Sequence, residues 1–209
     1  INQLQKDAVL TPFSRFAYIA PTYKQAKMIV WDMLKYYARP IPGVKFNEAE
    51  LRCDYPNGSR ISLYGAENVD ALRGIALWGV VFDEYAQQPS NIFSEVVSKC
   101  LADHLGYAIF AGTPKGKNRF YELHLRAQKD AEWFHHSQDI DVTLKEENQD
   151  DETIRNLMQS LEDEKKLVQD GQIEEGEFKQ EWYISFDAAT RGAYYAQQIT
   201  RARDEGRIT

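Results

Sequence analysis

Cysteine is scarce here: Cys53 and Cys100 alone give neither a disulfide framework nor the clustered spacing of a zinc site. No uninterrupted apolar run approaches the ~20 residues that a membrane-crossing helix needs, so a helical span is excluded. Internal repeats and low-complexity tracts are also missing, which removes the repeat architectures. Basic excess is missing too. The net charge of −7 argues against nucleic-acid affinity spread over the whole surface, although a local basic patch stays open. A phosphate-binding GxxxxGK[ST] loop is absent as well. Gly116-Lys117-Asn118 comes nearest, but Gly112 and Gly116 enclose three residues, not four, and Asn118 stands where a magnesium-binding hydroxyl is required. The opening Ile1-Asn2-Gln3-Leu4-Gln5-Lys6 has no Met and no basic stretch before an apolar core. It looks like the later turns of a helix, and the chain reads as a fragment.

What is present suits an ordinary globular protein. Hydrophobic residues make up 43% and charged residues 27% of 209, enough for one substantial core with room for a small appended subdomain. The cysteine usage fits a reducing cytoplasm. Acids concentrate between Asp139 and Glu177, whereas Arg15, Lys24, Lys27, Lys115, Lys117 and Arg119 lie in the better balanced first part.

The pattern predicts a helix end over residues 1–9, a turn at Thr11-Pro12 and a strand over Phe16–Ala20. Thr22 is placed to cap a helix whose apolar positions run from Tyr23 to Tyr37. Lys24 and Lys27 near its start read as solvated, or as contacts for a phosphate or DNA backbone. Arg39-Pro40-Ile41-Pro42-Gly43 stops that helix. Alternating segments on either side of Pro56-Asn57-Gly58 predict an antiparallel hairpin at one sheet edge. Two apolar runs, Gly79–Phe82 and Tyr107–Ala111, read as buried parallel strands, with an amphipathic helix from Pro89 to Leu101 between them. Further helices are expected from Asn118 to Ala127 and from Glu152 to Gln169 with Ile154, Leu157, Met158 and Leu161 inward, and Ile173–Tyr183 reads as a short helix or a helix-to-strand passage. Trp133–Ile140 suits one more strand, and Lys145–Asp151 a charged loop. Alternation of strands and helices implies an α/β sheet of crossover units.

The stretch Gly79-Val80-Val81-Phe82-Asp83-Glu84 carries the chemistry. A buried parallel strand that ends in two adjacent carboxylates delivers them where open α/β sheets bind ligands, the layout of a Walker B motif. One acid can hold a magnesium shell while the other aligns the attacking water. This assigns Asp83 to the metal and Glu84 to the water; a plain acidic cap before Tyr85 is the competing interpretation.

Taken in order, Tyr18-Ile19-Ala20-Pro21-Thr22-Tyr23-Lys24-Gln25-Ala26-Lys27, Asp70-Ala71-Leu72-Arg73-Gly74, Val80-Val81-Phe82-Asp83-Glu84-Tyr85-Ala86-Gln87 and Phe110-Ala111-Gly112-Thr113-Pro114-Lys115-Gly116 closely resemble the large terminase subunit of tailed bacteriophages, in its HK97-like branch. The resemblance spans about Ala17 to Phe120 and continues more weakly to Tyr195. It implies a mostly parallel ASCE-type P-loop NTPase sheet flanked by helices, with an edge hairpin and a small helical lid. Residues 1–125 would then be the ATPase core and 126–209 the lid with a linker toward a nuclease domain. Implied with it are ATP and Mg2+ as cofactors, double-stranded DNA, the portal protein and the small terminase subunit as partners, and a homo-oligomeric ring on the procapsid in the host cytoplasm. Asp83 matches the metal-associated acid and Glu84 the catalytic carboxylate. Gly112-Thr113-Pro114 matches the coupling motif, with Thr113 as γ-phosphate sensor or, alternatively, a strand-end cap. Arg73 matches the arginine inserted into a neighbouring subunit's site, or else pairs with a local acid such as Asp70. The family's phosphate loop is expected upstream of Ile1 and its nuclease acids beyond Thr209.

Two other classes compete. A helicase-like P-loop ATPase shares the Asp-Glu pair, and a non-catalytic docking module for terminase or portal partners would need no nucleotide. A metal-dependent nuclease built on Asp139 and Asp141 ranks last, because alternate acids in a charged segment are usually solvated.

Overall fold

The computed structural model describes residues 1–145, 150–187 and 206–207. The expected linker from Arg191 onward falls outside them apart from 206–207. The chain divides into two compact units, Ile1–Gly112 and Thr113–Thr209.

In the first unit, α1 (Asn2–Leu10) leads into β1 (Arg15–Ala20), five of whose six residues are buried. The Thr22 side chain accepts a hydrogen bond from the Gln25 amide, capping α2 (Tyr23–Ala26) as its sequence predicts. That helix continues through a π-helical stretch (Lys27–Trp31) into α3 (Asp32–Ala38), where Arg39 and Pro40 end it. Next come β2 (Lys45–Asn47), β3 (Arg52–Asp54) and β4 (Arg60–Gly65). A 3-10 helix (Ala66–Leu72) precedes β5 (Gly79–Phe82), all of it buried. A second π-helical stretch (Phe93–Val97) and α4 (Ser98–Ala102) then lead to β6 (Tyr107–Phe110).

These strands form one six-stranded sheet in the order β2-β3-β4-β1-β5-β6. β4, β1, β5 and β6 are mutually parallel, so all four end on the same side. The predicted hairpin is present as β3 and β4, but it reaches inward: β2 forms the edge, and β4 pairs in parallel with β1. β6 is parallel as expected yet lies at the opposite edge and is only half-buried, because among the described residues no strand covers its outer side. Residues on one sheet face, Phe16, Tyr18, Ile61, Leu63 and Val81, pack against Leu4 and Ala8 of α1 and Val30, Trp31 and Leu34 of the long helix.

The second unit contains α5 (Arg119–Ala127), capped by Asn118, then α6 (Ile140–Thr143), α7 (Asp151–Gln169) and α8 (Glu175–Tyr183). Its small core joins Ile140, Leu161 and Phe178, with Leu157, Val168 and Trp182 against them. Trp133–Ile140 is not a strand. His135 bonds the His124 ring at 3.0 Å, and Asp139 caps α6 by accepting from the Val142 amide. Met158, expected inward, is exposed on α7.

Candidate functional site

The acid pair leaves β5 at the shared carboxyl end of the parallel strands. Tyr18, Val81 and Asp83 lie on one face, since Tyr18 is the parallel partner of Val81 and alternation returns Asp83 to that side two residues later. The Asp83 amide donates to the Ile19 carbonyl at 2.9 Å, extending the β1–β5 pairing by one residue. The Gln88 side chain reinforces this junction, its Nε2 donating to the carbonyls of Ile19 at 3.0 Å and Asp83 at 2.7 Å. Tyr18 then donates its hydroxyl to Oδ2 of Asp83. Burial, followed by that bond and by the Asp83 and Glu84 charges, drives the Tyr18 phenol far above its ordinary range, so it remains a donor.

Glu84 leaves the extended strand. Its backbone is left-handed, φ 50° and ψ 44°, and ends β5 directly after Asp83. The Tyr85 amide donates to Ala111 O and the Ala111 amide to Phe82 O, so β6 holds the turn from the other side. Gly112, φ 147°, passes so near that a Cβ there would lie 3.0 Å from the Glu84 Cα. Gln87 Nε2 donates to Glu84 Oε2 at 3.1 Å. Phe82, Tyr85, Phe93 and Phe110 pack their rings beneath, with Phe82 and Phe110 stacked at 5.0 Å.

The amino end of α1 is at the same place. Ile1, which precedes α1, is within electrostatic reach of Asp83. On the adjoining loop, Glu67 accepts from the Tyr23 amide at 2.7 Å and leaves no room for a side chain at Gly65, pinning the turn after β1 to the turn after β4.

Arg73 is not brought to the acids. Its Nε donates to Asp70 Oδ1 at 2.7 Å, with both side chains more than half exposed. Cys100 contacts the Leu72 carbonyl, and its own carbonyl accepts from Leu77. Arg73 therefore lies on the stretch entering the amino end of β5, whereas Asp83 follows the carboxyl end. Thr113 is the first residue of the second unit, directly after Gly112. Asp139 is the cap of α6 and Asp141 lies in its first turn, an arrangement that accounts for both acids without a metal. Among the described residues no group of three or more His, Cys, Asp or Glu gathers as a metal cage. Two features escaped sequence reasoning: Tyr18 and Gln88. A hydroxyl inside the otherwise apolar Phe16–Ala20 run was the available signal for Tyr18.

A mostly parallel sheet of this order, with an acid pair at the carboxyl end of an inner strand, defines a P-loop NTPase fold. A family model described as "Terminase large subunit, T4likevirus-type, N-terminal" matches residues 3–201, and the chain belongs to that family. Within the family, the sequence resemblance points to the HK97-like branch and the matched description names the T4-like type. Among curated relatives, the large terminase subunits of Thermus phage G20c and Thermus virus P23-45 are each 32% identical over 133 residues, 54% of this chain. The chain spans only 27% of their length. Among solved structures, the Thermus phage P74-26 large terminase ATPase domain superimposes with a TM-score of 0.64 at 25% identity, covering 86% of this chain and 79% of that one. The large terminase of a second thermophilic bacteriophage, in complex with ADP, gives 0.65 at 16% identity over 88% of this chain and 43% of that one. That likeness confirms the fold.

Proposed function

We propose that this chain is the ATP-hydrolysing domain of a viral DNA-packaging motor, coupling hydrolysis to movement of double-stranded DNA into a procapsid in the host cytoplasm. The observation that carries the reading is the placement of Asp83 and Glu84 together at one strand end, Asp83 bonded by Tyr18 of β1 and Glu84 in a left-handed turn where Gln87 donates to it. Solved relatives support a nucleotide as substrate: the second of those thermophilic-phage terminases has been captured with ADP and with ATP-gamma-S.

The donor set fits magnesium. Mg2+ keeps most of its water and takes one or two carboxylates plus substrate phosphates instead of an all-protein cage, and two adjacent acids, with no third His, Cys, Asp or Glu gathered to them among the described residues, match that habit. Asp83 would hold it. When bound, Mg2+ neutralises charge on the phosphates. Glu84 orients the attacking water and takes its proton. The amino end of α1, beside Asp83, is where a loop feeding that helix would present amides to phosphate.

Thr113, at the exit of β6, is the proposed sensor of γ-phosphate, and residues 126–209 are assigned as the lid and the linker toward a nuclease domain. Arg73 acts in the neighbouring subunit of a ring, which the portal protein and the small subunit would hold at the procapsid. A guanidinium suits spreading phosphoryl charge. The test is calorimetric titration with ATP-gamma-S, alongside ATP turnover, on this chain and on one extended upstream. Binding and turnover are expected in the extended chain; neither in both would reduce the protein to a docking module.

A further inference from the structure

The sequence assigns the acids but not what aims them. Asp83 is a single carboxylate at the end of a strand, free to rotate about its side-chain bonds unless something holds one oxygen. Among the described residues Tyr18 is the donor on that carboxylate. We propose that Tyr18 is the positioning residue of the site: by holding Oδ2 of Asp83, it leaves the other oxygen for the water shell of a nucleotide-bound divalent cation. This rests on the ATPase reading above.

The alternative is that the bond merely ties β1 to β5. That tie is already made without the hydroxyl, by the β1–β5 pairing, the Asp83 amide on Ile19 and the two bonds of Gln88. Those contacts fix the Asp83 main chain; the phenol acts only on its side chain. Tyr18 is itself only 4% exposed and packed within the core, so its ring cannot swing away and its aim is set by the fold. A buried hydroxyl requires a partner, and the parallel register places that partner on the metal-associated acid.

The experiment uses full-length protein and Mn2+ as the probe, followed by electron paramagnetic resonance with ATP-gamma-S present. Tyr18→Phe keeps the ring and removes the donor. Its Mn2+ affinity in the nucleotide complex should fall about tenfold while metal-free nucleotide affinity stays within about twofold, as expected for losing one hydrogen bond to a charged group. In an Asp83→Asn background the same change should cause no further loss. A fluorine resonance from 3-fluorotyrosine introduced at position 18 gives a readout independent of that variant's folding. It should shift when Mg2+ joins the nucleotide-bound protein and stay in place with Asp83→Asn. Unchanged Mn2+ affinity in Tyr18→Phe, equal losses in both backgrounds, or an immobile resonance would overturn the positioning role and leave the ATPase reading standing. A wild-type protein that binds neither ATP-gamma-S nor Mn2+ would instead remove the ATPase reading, and this inference with it.

Discussion

Glu84 combines a strained backbone with a carboxylate that accepts from Gln87. A non-glycine residue in the left-handed region costs roughly 1–2 kcal/mol, and here that residue ends β5 directly after Asp83. If Glu84 serves as general base, Glu84→Gln in full-length protein should retain ATP binding while turnover falls by about two orders of magnitude or more. Turnover and equilibrium binding measured side by side check this, and near-wild-type turnover sinks the assignment. The acids themselves were legible in the sequence because an apolar run ending in Asp-Glu is a local pattern. Their helpers were not. Tyr18 is 65 positions from Asp83 and Gln88 is 69 from Ile19, separations that only parallel pairing closes. Arg73 shows the converse: its ion pair with Asp70, three residues away, was foreseeable from spacing alone.

At the scale of elements, β6 serves the site through its tip. Gly112 takes a conformation favouring glycine and presses against Glu84, while Gly171, φ 70°, has nothing within 4 Å. Gly112→Ala should therefore displace the Glu84 turn and lower turnover by about tenfold or more, the scale on which small misplacements act. Gly171→Ala should lose only about 1 kcal/mol of stability, leaving turnover unchanged. Equal turnover in the two variants, measured with their melting temperatures, would reject the proposed contact effect. The sequence showed the parallel strands, the capped helix and the Asn57-Gly58 turn because each depends on short-range chemistry. It misplaced what depends on neighbours. β6 looks buried from composition and is an edge by topology. Trp133–Ile140 has strand-like residues, but Asp139 opens a helix and His135 bonds a helix side chain, leaving that stretch without a strand partner.

For the whole molecule, the proposed trans role of Arg73 predicts how activity should scale. Arg73 precedes the amino end of β5 and Asp83 follows its carboxyl end. An arginine supplied in trans is worth about a thousandfold or more. Arg73→Ala and Glu84→Gln subunits should each hydrolyse poorly, yet mixtures should regain activity because some interfaces join an intact arginine to an intact acid. ATPase rate against mixing ratio, with the ring assembled on procapsids, should pass through a hump; a straight line between the two mutants would favour the Arg73–Asp70 pair as purely local. A consequence reaches beyond the ring. If Arg73 does act in trans, a subunit diffusing alone, its arginine paired with Asp70, would hold nucleotide but idle, so dilution would silence the protein without emptying its site. Under the proposed function, hydrolysis would then begin only once subunits had gathered.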